Sequence, residues 1–284
     1  MPPKALVTGA TGFIGSHLVE HLSTHHWKIT CLIRKRSRTE CLRKFPVRLI
    51  RGNTDDTQIL EKAVEGQDYV FHLAGRIRTA SPKIYDKDNR QLTHDLAQAC
   101  LKKNHHLKRF LYVSSISAAG PSPPGRCANE SLPPSPTSEY GRSKLRGEQA
   151  VQKVAHLIPV TIIRPPNVYG PRQQETEALI KLIKWRLVPL LKDRPSSRVS
   201  LIYVKDLTRG MVEAVLSPKT ENQTYYLTDG KAHSWREVIL TIKRAALHES
   251  LFIPLPEELI ISLAWLMDIA KKTRLLKIYF GLRL

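Results

Sequence analysis

Tyr140 and Lys144 place a phenol and an amine four residues apart, and on a helix those two side chains share one face. Tyrosine transfers protons near neutrality only if its pKa falls from ~10 by about three units, or ~4 kcal/mol. A neighbouring ammonium and a cationic cofactor ring could together supply that shift. Upstream, Val113-Ser114-Ser115 closes an apolar run, and Ser115 could hydrogen-bond a reacting oxygen and hold it near the tyrosine. In so basic a chain the Tyr-x-x-x-Lys spacing also arises by chance on a solvated helix face.

A second cluster reads as a phosphate cradle. Gly9-Ala10-Thr11-Gly12-Phe13-Ile14-Gly15 follows the apolar run Ala5-Leu6-Val7 and opens an amphipathic stretch to Ser23. The first glycine permits a tight turn, the second lets backbone approach a pyrophosphate, and the third lets helix and strand pack closely. Free N–H groups and the positive end of the helix dipole would then face the phosphates. The spacing is GxxGxxG rather than GxGxxG, and an ordinary glycine-rich turn is the alternative.

These residues need a scaffold, and the first two-thirds of the chain supplies one by alternating strands and helices. Strands are expected at Lys4–Val7, Lys28–Arg34, Val47–Arg51, Tyr69–Leu73, Arg109–Ser114 and Val160–Arg164. Helices are expected at Gly12–Ser23, Thr57–Glu65, Asn89–Lys103 and Ser138–His156. Such alternation specifies an α/β fold, a doubly wound parallel sheet of Rossmann type with ligands at the carboxyl ends of the strands. Gly9, Arg34, Asn53, Ala74 and Ser115 fall at or just past such ends. Pro121–Pro136 contains six prolines and joins the Ser115 strand to the Tyr140 helix, as a surface loop or as a substrate-side loop. Beyond Pro165 the pattern is irregular. Helices are expected at Glu177–Leu187, Asp206–Leu216 and Ser234–Ala246, and a strand at Val199–Val204. Residues 1–165 are expected to form the nucleotide-binding domain and 166–284 mainly a smaller substrate lobe.

Composition bounds the function classes. The 284 residues carry 42% hydrophobic side chains, enough for a substantial core, and a formal charge of +20. The basic residues are dispersed, with no zinc-finger or RNA-binding pattern, so a small-molecule enzyme is expected rather than a nucleic-acid binder. The four cysteines form no CxxC pair, and no metal site is expected. Cys31 and Cys100 fit buried reduced thiols. The N-terminus lacks a signal-peptide core, and a cytoplasmic location is expected. Leu259–Ala270 is too short for a bilayer span, which takes ~20 residues. It reads as a packed terminal helix or, with Lys271, Lys272 and Arg274, an interfacial one.

Together the motifs resemble the extended short-chain dehydrogenase/reductase family, also called NAD-dependent epimerase/dehydratase. They are GATGFIG at 9–15, Phe71-His72-Leu73-Ala74-Gly75, Val113-Ser114-Ser115, Tyr140 to Lys144, Arg164 to Pro171, and Leu201 to Leu207. The resemblance implies that Gly9, Thr11, Gly12, Phe13, Ile14 and Gly15 line the pyrophosphate, and that Leu73, Ala74 and Gly75 pass the nicotinamide ribose. It implies Tyr140 as acid/base, Lys144 as a ribose ligand that lowers the tyrosine pKa, Ser115 as the third catalytic residue, and Pro165 and Val168 beside the nicotinamide. Asn89 takes a structural asparagine's place, and a homodimer through the helices bearing Asn89 and Tyr140 is a further implication.

The departures refine this. Relatives preferring NAD usually end the second strand with an acid, whereas Arg34 here suits a 2′-phosphate. NADP is therefore preferred, with NAD kept open. Asn53, with Thr54, stands where many relatives carry an adenine-binding aspartate. Ile116-Ser117 replaces the Asp-Glu pair of the dehydratases, Tyr203 replaces a common histidine, and the chain ends early for this family, so a truncated substrate lobe is expected. The leading expectation is an NAD(P)-dependent oxidoreductase acting at a secondary alcohol or ketone, nearest the dihydroflavonol-reductase and 3β-hydroxysteroid-dehydrogenase branches. The alternatives are a nucleotide-sugar epimerase with tightly held NAD, using Arg172, Arg194 and Arg198 toward a diphosphate, and a non-enzymatic dinucleotide-binding redox sensor.

Overall fold

The computed structural model describes residues 1–123, 126–173, 187–191, 198–245 and 251–255. Its central sheet is built from β1 (Lys4–Thr8), β2 (Lys28–Ile33), β3 (Val47–Arg51), β4 (Tyr69–His72), β5 (Arg109–Val113), β6 (Val160–Arg164) and a late strand, β11 (Gln223–Tyr226). All neighbours pair parallel in the order β11-β6-β5-β4-β1-β2-β3. The expected doubly wound sheet is thus present. The chain leaves β1 toward β2 and later returns on its other side as β4, so the topological switch lies at the carboxyl end of β1.

Strands buried on both faces explain why their sequences are nearly continuous in apolar residues. Alternate side chains feed two cores. Ala5, Val7, Cys31, Phe71, Leu111 and Ile163 point to one face. There α1 (Phe13–Thr24) contributes Leu18 and Leu22, and α7 (Val204–Leu216) contributes Leu207, Met211 and Val215. Leu6, Leu32, Val70, Phe110 and Ile162 point to the other. It is covered by Leu60 of α2 (Thr57–Val64), Leu96 of α4 (Leu92–Lys103) and Val151 of α6 (Glu139–Gln152). Cys31 and Cys100 are buried free thiols, and burial raises both pKa values, that of Cys31 to about 12.

Several expected elements differ in detail. The helix expected from Asn89 begins earlier, with α3 (Pro82–Tyr85) and a π-helical turn at Asp86–Gln91 leading into α4. Pro82 starts it because a proline's missing N–H costs nothing in a first turn. The stretch expected as one strand at Val199–Val204 divides into β9 (Arg198–Val199) and β10 (Leu201–Tyr203), with Val204 already in α7. β10 pairs with β7 (Asn167–Tyr169). Neither β7 nor β11 was expected. Both are short, and Gln223–Tyr226 is only partly buried, so neither has a strong apolar signature.

By compactness the chain forms two units. One is Met1–Gly170 with Ser200–Lys231, so residues 200–231 return to the unit that contains the central sheet. The other is Pro171–Val199 with Ala232–Leu284. In the second, β8 (Leu187–Leu191) pairs parallel with β13 (Leu251–Leu255), and β9 pairs antiparallel with β12 (His233–Ser234). Ser234 and Glu237 cap α8 (Trp235–Ala245) reciprocally: the Glu237 carboxylate accepts from Ser234 N–H at 2.7 Å and Ser234 Oγ accepts from Glu237 N–H at 3.1 Å. The expected helix Glu177–Leu187 lies outside the described residues except for Leu187, which begins β8. The apolar tail Leu259–Ala270 and Arg194 also lie outside them. Among the described residues no helix is long and apolar enough to cross a membrane.

Candidate active site

The glycine turn sits at the switch point. Gly9 adopts φ 72°, in the left-handed region that favours glycine. A side chain there would press on the Leu73–Ala74 backbone at 2.8 Å, and one on Gly15 would overlap the Gly9 carbonyl. These glycines therefore let the loop after β1, the start of α1 and the end of β4 meet at backbone distance. Gly12 is the N-cap of α1 and no side chain caps that helix start. Thr11, Phe13 and Ile14 are half-buried in the same turn. An uncapped helix start behind a turn kept free of Cβ atoms fits a pyrophosphate, so the residues present fit a dinucleotide.

The other expected contact residues line the same edge of the sheet. Arg34 follows β2, and Asn53 (exposed) and Thr54 (half-buried) follow β3. Leu73 and Ala74 continue β4, held by Thr8, whose backbone oxygen accepts from Leu73 N–H at 3.3 Å and whose Oγ1 accepts from Ala74 N–H at 3.1 Å. Pro165 and Val168 follow β6, and the Pro165 carbonyl accepts from Ile116 N–H at 3.1 Å. Arg34 is not free: its guanidinium pairs with Asp88 at 3.2 Å, and Arg76 holds the same carboxylate at 2.8 Å.

Ser115 lies just past β5 and N-caps α5 (Ile116–Ala119), its Oγ accepting from Ser117 N–H at 3.1 Å. Its hydroxyl lies near the Tyr140 phenol and acts to lower that group's pKa. Tyr140 and Lys144 occupy successive turns of α6, which Ser138 caps by accepting from Gly141 N–H at 3.0 Å. Lys144 is 4% exposed and donates to the Val113 carbonyl at 2.6 Å, with its ammonium 4.2 Å from the Tyr112 ring centroid. The Lys144 Nζ is also 3.9 Å from where a Cβ on Gly75 would stand. The fold therefore brings Ser115, Tyr140, Lys144 and the Ala74–Gly75 backbone together at one place.

The protein's own groups set the electrostatics at this place. Burial raises the Tyr140 pKa, opposed by the Ser115 hydroxyl, and Lys144 is not among the groups that shift it. Burial instead lowers Lys144 to about 7, against the pull of Glu148. The lysine is thus poised to titrate near neutrality, while the phenol keeps its proton.

Sequence reasoning missed the network behind this site. Glu148, one turn beyond Lys144 and 1% exposed, receives Arg164 at 2.9 and 2.7 Å and accepts from the Ser114 hydroxyl. It ties the ends of β5 and β6 to α6. Its signal was present as the i+4 position from Lys144 on the same helix face. Asn89 is fully buried. It donates to Ser143 Oγ at 2.8 Å and the Arg76 carbonyl at 3.0 Å, and accepts from Arg76 N–H at 2.6 Å. No cluster of three or more metal-ligating side chains occurs among the described residues.

This geometry has counterparts. The profile of the NAD-dependent epimerase/dehydratase family matches residues 5–227. The chain is 27% identical over 263 residues to a ceramide reductase of Caulobacter vibrioides, covering 92% of this chain and 76% of that one. It is 31% identical over 274 residues to a Bacillus subtilis protein described as an uncharacterised UDP-glucose epimerase, covering 87% and 85%. It superposes on a UDP-glucuronic acid 4-epimerase of Bacillus cereus in complex with NAD with a TM-score of 0.75, at 27% identity, covering 89% of this chain and 87% of that one. The profile spans most of the sequence and the fold agrees with it: this chain belongs to the NAD-dependent epimerase/dehydratase family of extended short-chain dehydrogenases/reductases.

Proposed function

We propose that the chain reduces a ketone to a secondary alcohol with a nicotinamide cofactor, preferring NADP, and that Ser115, Tyr140 and Lys144 are its catalytic residues. The enzyme class, an NAD(P)-dependent oxidoreductase or epimerase, follows from the family. The observation that carries the finer reading is the convergence of Ser115, the half-buried Tyr140 and Lys144 beside Ala74–Gly75. The same three groups can serve either direction of hydride transfer, and reduction is the direction in which Tyr140 acts as the acid.

A reduced nicotinamide, when bound, would supply the hydride. Ser115 orients the carbonyl oxygen by hydrogen bonding. Tyr140 gives its proton to that oxygen as negative charge develops on it, and the transient phenolate regains a proton from the Lys144 ammonium or from solvent. Gly9, Thr11, Gly12, Phe13, Ile14 and Gly15 would hold the diphosphate, Arg34, Asn53 and Thr54 the adenosine side, and Leu73, Ala74, Gly75, Pro165 and Val168 the nicotinamide side. Residues 1–165 would serve the cofactor, and 166–284 would supply most of the substrate contacts.

The test is NADPH-dependent reduction of a panel of ketones by the parent and by Tyr140→Phe. The variant should retain cofactor affinity and lose about 10²–10⁴-fold in kcat. Equal turnover by parent and variant would refute the assignment. A second reading, a nucleotide-sugar epimerase, is supported by the likeness to the Bacillus subtilis and Bacillus cereus proteins. It predicts NAD that co-purifies with the chain and turnover without net NADPH consumption.

A further inference from the structure

We propose that Asp88 is a specificity-determining residue: its carboxylate competes with the 2′-phosphate of NADP for Arg34 and so limits how strongly NADP is preferred over NAD. The proposal rests on the dinucleotide reading of the strand-tip cleft. Arg34 stands just past β2, and Asp88 lies on the π-helical turn whose next residue, Asn89, is bonded to Arg76 beyond β4. β1 separates β2 from β4 in the sheet, so the Arg34–Asp88 pair reaches across the tip of β1, where the glycine turn begins.

The two guanidiniums on Asp88 are not equivalent. Arg76 binds Oδ2 through Nε at 2.9 Å and Nη2 at 2.8 Å, whereas Arg34 reaches it through Nη2 alone at 3.2 Å. The Arg34 side chain is 47% exposed and that of Asp88 only 13%. Arg76 therefore fixes the carboxylate, and Arg34 is the exchangeable partner. Lys87 bonds Asp55 at 2.9 Å and ties the same turn to the loop after β3, so the acid is carried on a segment anchored on both sides of the glycine turn. A 2′-phosphate brings about −1.5 to −2 charges at pH 7. Reaching Arg34, it must displace the Asp88 carboxylate or lie beside it, and a second anion there is repelled. A 2′-hydroxyl carries no charge and can donate to the same carboxylate, so NAD meets no such penalty. This Asp88 arrives from the far side of the glycine turn rather than from the end of β2.

The experiment is calorimetric or fluorescence titration of NADPH and NADH into the full chain. The proteins compared are the parent, Asp88→Asn, Asp88→Ser, Arg34→Leu and Asp88→Asn/Arg34→Leu. Both neutral Asp88 variants should bind NADPH itself more tightly and shift the NADPH-over-NADH ratio by about tenfold, which is ~1.4 kcal/mol. In the Arg34→Leu background the same change should shift the ratio clearly less. An unchanged ratio overturns the proposal. So does loss of NADH binding in both neutral variants, which would make Asp88 a structural counter-ion. A parent protein that binds neither nucleotide refutes the cofactor reading itself, and parent binding with an unmoved ratio refutes only this inference.

Discussion

Lys144 donates its ammonium to the Val113 carbonyl oxygen at 2.6 Å, clamping α6 to the end of β5. The contact holds a cationic side chain in a place that burial makes unfavourable for charge, and the amine falls from 10.5 to about 7. A base lowered in this way is charged in the folded protein only below about pH 7, while the unfolded chain keeps its proton to about 10.5.

Cofactor affinity should carry this signature. If the ammonium grips ribose hydroxyls, the Kd for NADH should rise with pH from 6.5 to 8.5, by at most about tenfold per unit. Lys144→Met should bind weakly throughout and without that slope. The same linkage acts on stability. Between about pH 7 and 10.5 the unfolded state binds the extra proton, so stability gains with rising pH in the parent, and urea titrations of Lys144→Met should lack this component.

The buried pair Glu148–Arg164 makes a separate prediction. Burial pulls the Arg164 pKa down, and the hydrogen bond and charge of Glu148 more than offset it. Glu148→Gln strands a guanidinium that is 4% exposed and should cost about 3–5 kcal/mol in urea unfolding. Glu148→Gln/Arg164→Met should cost clearly less than the sum of its single changes. Strict additivity would mean that the pair does not act as one unit.

His72 should set part of the acid limit. It is fully buried between Thr8 Oγ1 at 2.7 Å and Thr93 Oγ1 at 2.9 Å, and burial, then the Lys144 charge, lowers it to about 3. Its folded pKa lies below the unfolded 6.5, so its contribution is complete above pH 6.5 and is lost as pH falls toward about 3. His72→Gln should lose ~1–3 kcal/mol at pH 7 from disturbed hydrogen bonds, yet its stability should fall less steeply from pH 6.5 to 4. A parallel pH profile would contradict this.

Most of the sheet was legible because strands buried on both faces read as apolar runs, as in Ala5-Leu6-Val7 and Phe110-Leu111-Tyr112-Val113. The positions of Tyr140 and Lys144 were legible for a related reason: helical spacing fixes a shared face wherever the helix ends. β7 and β11 were not legible, since three or four partly buried residues carry little periodicity. The π-helical turn at Asp86–Gln91 was hidden as well, because hydrogen-bond register leaves no mark in residue type. The partner of Arg34 was missed because Asp88 is recruited by tertiary packing, whereas Glu148 could have been read from its i+4 position after Lys144.

The central claim is that a dinucleotide diphosphate lies against the start of α1, and Gly12→Asp tests it most directly. Gly12 has φ −82° and ψ 176°, extended backbone open to any residue, and aspartate is a favoured N-cap. The helix should therefore survive, with a melting temperature near the parent's, since a Cβ there meets only the Gly9 carbonyl oxygen, at 3.2 Å, while the new carboxylate repels the diphosphate. Titration with NADPH and NADH should give saturable one-to-one binding to the parent and at least about a hundredfold weaker binding to the variant, on the order of 2.7 kcal/mol. A folded Gly12→Asp protein that binds both nucleotides as tightly as the parent would contradict the account.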